Sequence, residues 1–137
     1  MNRIEPTVVE TVTGPGTLDE IHQALDAFWL AHSAVPEEIR MRMAIAAAEI
    51  GANIIEHAGG NHGIQMRMEA RALPHTVEIV FVDHGPEATV DLTDLSFPDE
   101  MSERSRGLAL AHSVLAELSY LRCGTTNRWT LLSHDFR

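Results

Sequence analysis

A chain of 137 residues with 45% hydrophobic content is long enough to bury a core and too apolar for general disorder, so one folded domain over 1–137 is expected. Twenty acidic against ten basic residues give a net charge of −10, which argues against nonspecific binding to nucleic acid or to an anionic membrane. The single cysteine, Cys123, allows no internal disulfide. No signal-like apolar run opens the chain and no apolar stretch approaches ~18 residues, so a soluble, cytoplasmic protein is expected.

Residues 7–13, TVVETVT, are rich in β-branched side chains and read as a strand closed by Gly14-Pro15-Gly16. Thr17 or Asp19 suits the cap of a helix running to about His32, with Ile21, Leu25, Phe28 and Trp29 on its apolar face. After a short turn at 33–36, Pro36-Glu37-Glu38 starts a second helix, with proline in the first turn and acids at the positive end of the dipole. At about 100° per residue, Ile39, Met43, Ala46, Ala47, Ile50 and Ile54 fall on one core-facing stripe. Glu49, Asn53 and Glu56, spaced i, i+4 and i+7, line its edge, where a carboxylate and an amide one turn apart point into a cleft. Taken alone, such a pair is more often an ordinary solvated helix edge. The helix stops near His57-Ala58, before Gly59-Gly60-Asn61.

Alternation at 64–70 and the apolar run at 77–82 predict two further strands, the second leading into Asp83-His84-Gly85-Pro86. The pattern fades over 87–106, a stretch of roughly twenty residues of the kind that is often functional or mobile. Helical spacing returns at 107–118 through Leu108, Ala111, Leu115 and Leu118. Strands at 120–123 and 128–132 flank the turn Gly124-Thr125-Thr126-Asn127. The order β, α, α, β, β, loop, α, β, β predicts a two-layer α/β sandwich with helices on one face of a mixed sheet. Met41, Met43, Met66 and Met68 read as core or sheet-face filler and Cys123 as a small buried residue, while Trp29 and Trp129 suit either core or a partner surface. The histidines, His57, His62 and His84 included, match no HExxH or CxxC spacing and read as solvated loop and helix-end residues.

Three segments together carry more than each does alone: Glu49-xxx-Asn53 on a helix, Asp83-x-Gly85 at a strand end, and Arg106-Gly107-Leu108 opening a helix after a long loop. In AEIGANIIEHA, VDHGP and SRGLALAHSVLAEL the chain resembles the GHKL (Bergerat-type) ATPase superfamily, with its N, G1 and G2 boxes. Within it, Glu49 to Asn53, Glu56-His57-Ala58 and the ending Thr126-Asn127-Arg128-Trp129-Thr130-Leu131 resemble the small bacterial anti-sigma factors that are also serine protein kinases. The length fits a free-standing kinase domain without phospho-acceptor helices.

This resemblance implies a Bergerat ATP-binding fold with a mostly antiparallel sheet, a lid at about 87–106, and ATP and Mg²⁺ as ligands. It implies Glu49 as the base acting on a partner's serine hydroxyl, and Asn53 as the Mg²⁺ ligand through its amide oxygen. Asp83 would accept the adenine amino group, with Gly85 allowing close approach to the base. Ser105, Arg106, Gly107 and Leu108 would present backbone N–H groups to the β- and γ-phosphates, and Thr130 would lie near adenine. Ser105 stands where the family has the first glycine of its GxG, which limits backbone freedom there. The implied partners are a sigma factor, which is sequestered, and a STAS-type anti-sigma-factor antagonist, which is phosphorylated. The chain is expected to act as a homodimer. The alternatives are a non-catalytic binding module of the same fold and, more remotely, a detached piece of a larger ATPase.

Overall fold

Residues 6–57, 62–88 and 103–137 are described in the computed structural model. The β-branched opening forms β1 (Thr7–Val12), and two helices follow, α1 (Thr17–Ala31) and α2 (Glu37–His57). Then come β2 (Gln65–Ala72), β3 (Val77–Asp83), α3 (Glu103–Val114), β4 (Glu117–Cys123) and β5 (Thr126–Leu132). The five strands form one sheet in the order β1-β2-β3-β5-β4, and every neighbouring pair is antiparallel.

The connections dictate those directions. Two helices between β1 and β2 return the chain to the end it left, so β2 must run opposite to β1. The single helix α3 carries the chain across once, so β4 runs in the direction of β3. The β4–β5 hairpin then folds back, and β5 slots between them, antiparallel to both. The expected mixed sheet therefore holds no parallel pair among the described residues.

Local chemistry sets the helix starts. Thr17 does not cap α1: it is the first helical residue, and its hydroxyl accepts a hydrogen bond from the Gly14 N–H at 2.8 Å. The Pro36 carbonyl accepts from the Arg40 N–H at 3.0 Å and so opens α2, while the Arg40 guanidinium donates to the Val35 and Ser33 carbonyls and ties down the turn. The predicted stripe of α2, from Ile39 to Ile54, is buried throughout and meets Phe28, Leu25, Phe81 and Trp129 in one core. The strands alternate as a half-buried sheet requires, with Met66, Met68 and Ala70 of β2 turned to the helices and Gln65, Arg67 and Arg71 to the open face.

Four expectations are corrected. The last helix runs over 103–114 rather than 107–118, and the chain is extended from Glu117. Leu118 is buried in either register, because a helical stripe and an inward strand position coincide there. The Ala116 N–H bonded to the Leu132 carbonyl at 2.9 Å already belongs to the sheet side of the turn. Cys123 is exposed, since it is the last residue of an edge strand. Met41 is 57% exposed, on the face of α2 opposite Met43. The final hairpin is tighter than predicted: Gly124 and Thr125 alone connect the strands, with Gly124 in the left-handed region at φ 59°. No helix among the described residues is long and apolar enough to cross a membrane.

The burial contrast along α2 gives a direct check. Ile50→Ala, at a fully buried position, should cost about 2–5 kcal/mol in denaturant unfolding, whereas Met41→Ala should change stability by less than about 0.5 kcal/mol.

Candidate functional site

Topology gathers the candidate residues at one end of the molecule. Met66, near the start of β2, pairs with Asp83 at the end of β3, and Asn127 near the start of β5 pairs with Asp83 from the other side. The chain reaches β2 from the C-terminus of α2 and leaves β3 towards the N-terminus of α3, so those helix ends lie at the same end. Asn53, one turn before the last residue of α2, is buried there, and α2 packs against α3, β3 and β5.

Asp83 is the centre of this end. Its side chain lies on the helix-facing side of the sheet and is 3% exposed. Oδ1 accepts hydrogen bonds from the Gly85 N–H at 2.9 Å and from Asn127 Nδ2 at 2.8 Å, and Oδ2 accepts one from Trp129 Nε1 at 3.2 Å. A Cβ at Gly85 would lie 3.0 Å from Asp83 Oδ1 and 2.9 Å from Ile64 Cδ1, so the turn after Asp83 closes this tightly only around glycine. Behind Asp83 stands a second layer. Asn127 Oδ1 accepts from Arg122 Nη1 at 3.1 Å and from the Tyr120 hydroxyl, and Asn127 Nδ2 also donates to the Pro86 carbonyl at 2.9 Å. Arg122 Nη1 donates to the Gly85 carbonyl at 2.7 Å, and the Ala88 N–H donates to the Tyr120 hydroxyl at 2.9 Å. One hairpin thus holds the whole segment from Asp83 to Ala88.

The second cluster joins α2 to α3. A Cβ at Gly107 would lie 2.5 Å from Glu49 Oε2, so the Glu49 carboxylate rests directly on the backbone of α3 at that glycine. Because α3 begins at Glu103, the first-turn N–H groups that helix geometry leaves to be satisfied from outside extend to Ser105, while the fourth helical residue is the one that makes the first intrahelical bond, as Arg40 does in α2. Ser105 and Arg106 are in that turn; Gly107 and Leu108 follow in the next, their N–H groups directed along the helix, and Leu108 is buried in the core. The candidate lid at 87–106 falls mostly on 89–102, outside the described residues.

The structure does not bring Thr130 to Asp83. Burial alternates along β5, so Asn127, Trp129 and Leu131 face the helices while Thr130 faces the open side of the sheet, opposite Val80. Asn127, Trp129, Tyr120 and Arg122 are the members of the site that motif reading missed. The signal was the period of two: Asn127 and Trp129 share the parity of the core residue Leu131, and Tyr120 and Arg122 share that of Leu118.

A family model described as the histidine kinase-like ATPase domain matches residues 13–133. Among curated proteins nothing matches in sequence. Among solved structures, that of the RsbU and RsbW domains of Rv1364c from Mycobacterium tuberculosis superimposes with a TM-score of 0.69 at 17% identity, covering 98% of this chain and 33% of that one. The catalytic domain of the histidine kinase ThkA, in a nucleotide-free form, gives a TM-score of 0.55 at 12% identity, covering 92% of this chain and 95% of that one. The histidine kinase domain of the blue-light activated histidine kinase EL346 from Erythrobacter litoralis gives 0.50 at 17% identity, covering 85% and 60%. The chain spans a third of the length of the first of these and about three fifths of the last. At these identities the likeness establishes the fold, and the family match over 13–133 establishes membership: the chain belongs to the histidine kinase-like ATPase domain family, on the ATP-binding fold of the GHKL superfamily.

Proposed function

We propose that this domain is an anti-sigma factor of the kinase type, which binds Mg·ATP, sequesters a sigma factor and phosphorylates a serine of a STAS-type anti-sigma-factor antagonist, acting as a cytoplasmic homodimer. The observation that carries the proposal is the seating of the Glu49 carboxylate on α3 at Gly107. It places an acid beside the helix whose first turn suits the β- and γ-phosphates, at the end of the molecule that also holds Asp83. The solved structure with the highest TM-score of the three contains, by its title, an RsbW domain, and this supports the reading at the level of fold.

The residues fit the ligands by the chemistry of their donors. Asp83 is an anionic acceptor fixed for an amino group, and Gly85, having no side chain, lets its own N–H close onto that carboxylate. Asn53 offers an amide oxygen of the kind a hard cation takes, one turn from Glu49. Magnesium, when bound, neutralises charge on the β- and γ-phosphates, which a chain of net charge −10 otherwise opposes. In the transfer, Glu49 orients the serine hydroxyl and takes its proton as the oxygen attacks the γ-phosphorus; ADP leaves and the product is phosphoserine. The start of α3 at Ser105 and Arg106 holds the phosphates in line, and Gly107 gives Glu49 its place.

The proposal is tested by incubating the protein with γ-labelled ATP and a small STAS-type acceptor and locating label on a serine. Label on the acceptor supports it. Nucleotide binding and acceptor binding without transfer would leave the non-catalytic binding module instead.

Three outcomes follow from the geometry. Glu49→Ala should leave ATP and acceptor binding within a few-fold of wild type and lower the transfer rate by ~10²-fold or more, measured in single-turnover assays. Gly107→Ala should leave stability within about 1 kcal/mol, because alanine's helix propensity offsets the displaced side chain, yet lower transfer at least about tenfold by moving the Glu49 carboxylate. Unaltered transfer in that variant would show that Glu49 does not act from its observed position. Removing divalent cations with EDTA should weaken ATP binding by at least about tenfold in calorimetry, since the polyanion then meets the acidic chain unscreened.

A further inference from the structure

We propose that Asn127 is a specificity-determining positioning residue: it fixes the Asp83 carboxylate so that one acceptor position on Oδ2 remains, the position that reads a base's exocyclic amino group. The proposal rests on the nucleotide-binding reading above and goes beyond it by assigning discrimination to a residue outside the three boxes.

The argument is an accounting of acceptor positions. A carboxylate has about four lone-pair sites, and three are taken by donors already in the structure. Gly85 N–H and Asn127 Nδ2 fill Oδ1, and Trp129 Nε1 takes one site on Oδ2. Among the described residues no fourth donor meets Asp83, so one site remains, on Oδ2.

Asn127 cannot turn over. Its Oδ1 faces two donors, the Arg122 guanidinium and the Tyr120 hydroxyl, and its Nδ2 faces three acceptors, Asp83 Oδ1, the Pro86 carbonyl at 2.9 Å and the Gly85 carbonyl at 3.4 Å. A flipped amide would set oxygen against carboxylate and carbonyls, and N–H against a cation. At 1% exposure no water offsets either clash. Arg122 and Tyr120 therefore set the orientation of Asn127, and Asn127 sets that of Asp83. Trp129 packs on Tyr120, with ring centroids 4.6 Å apart, which keeps its N–H on Oδ2.

An acceptor held in this way admits an N–H and repels a carbonyl oxygen. A site built to bond a polar group discriminates strongly, because the wrong group leaves buried atoms unpaired. Without Asn127 the carboxylate gains torsional freedom and the 85–86 backbone loses its anchor, so an oxygen at the same position of the base meets less resistance.

The test is calorimetric titration of Mg·ATP and Mg·ITP, which carries a carbonyl in place of the amino group, into wild type, Asn127→Ala and Tyr120→Phe. Wild type should bind ATP at least tenfold more tightly than ITP. In Asn127→Ala the ATP-to-ITP ratio should fall at least fivefold. Tyr120→Phe, which keeps the ring and removes only the hydroxyl that orients Asn127, should lower the ratio in the same direction and serves as the deciding variant if Asn127→Ala does not fold. Equal wild-type affinity for the two nucleotides, or an equal loss of both in the variants with the ratio unchanged, would overturn the proposal while leaving nucleotide binding intact. Failure of wild type to bind either nucleotide would instead overturn the nucleotide-binding reading itself.

Discussion

A buried carboxylate is the constraint around which this end of the molecule is built. Moving such a group out of water costs on the order of several kcal/mol unless donors replace the lost solvent. Asp83 sits at the end of the central strand β3 and obtains three, one from its own turn and two from β5. That requirement explains why β5 rather than β4 lies beside β3, and why polar Asn127 occupies an inward position next to Trp129 and Leu131. It also fixes the direction in which the chain leaves β3, since Gly85 and Pro86 are held through their carbonyls by Arg122 and Asn127.

The other half of the site depends on a contact that only glycine permits. Glu49 lies at the margin of a fully buried stripe, so α2 cannot rotate to move it, and α3 approaches closely because position 107 has no side chain. The N-box carboxylate and the G2-box glycine, read from sequence as separate signatures, are two sides of one packing contact. A change to either is felt by the other, and α3 is at the same time the element that follows the long segment after β3.

Much of this was legible in the residues because it rested on periodicity. The stripe from Ile39 to Ile54 is buried as predicted, β2 alternates, and the apolar run of β3 is the more buried of the two strands. The order of elements was correct, and the described helices and strands follow the expected sequence. Errors arose where two periods gave the same answer, as at Leu118, or where a residue's neighbour in space was distant in sequence. Nothing in the run Thr126-Asn127-Arg128-Trp129-Thr130 announces that Asn127 faces a carboxylate 44 positions earlier; only the register of β5 against β3 shows it. Thr130 was chosen by likeness of motif, and the pleat turns it to the opposite face. Cys123 and Met41 were assigned by residue type, and an edge strand and the outer face of α2 decided otherwise.

The central claim is that Asp83, held by the β5 side chains, is the acceptor at the base end of a nucleotide site. The indole N–H of Trp129 reports on it directly, because it donates to Asp83 Oδ2, while the indole of Trp29 lies in the α1 part of the core. A two-dimensional NMR titration with Mg·ATP, the two indole signals assigned through Trp29→Phe, measures both at once. The account predicts that the Trp129 signal shifts in a saturable way while that of Trp29 stays in place. Saturation of binding by calorimetry with the Trp129 signal unmoved would contradict it, placing the nucleotide somewhere other than beside Asp83.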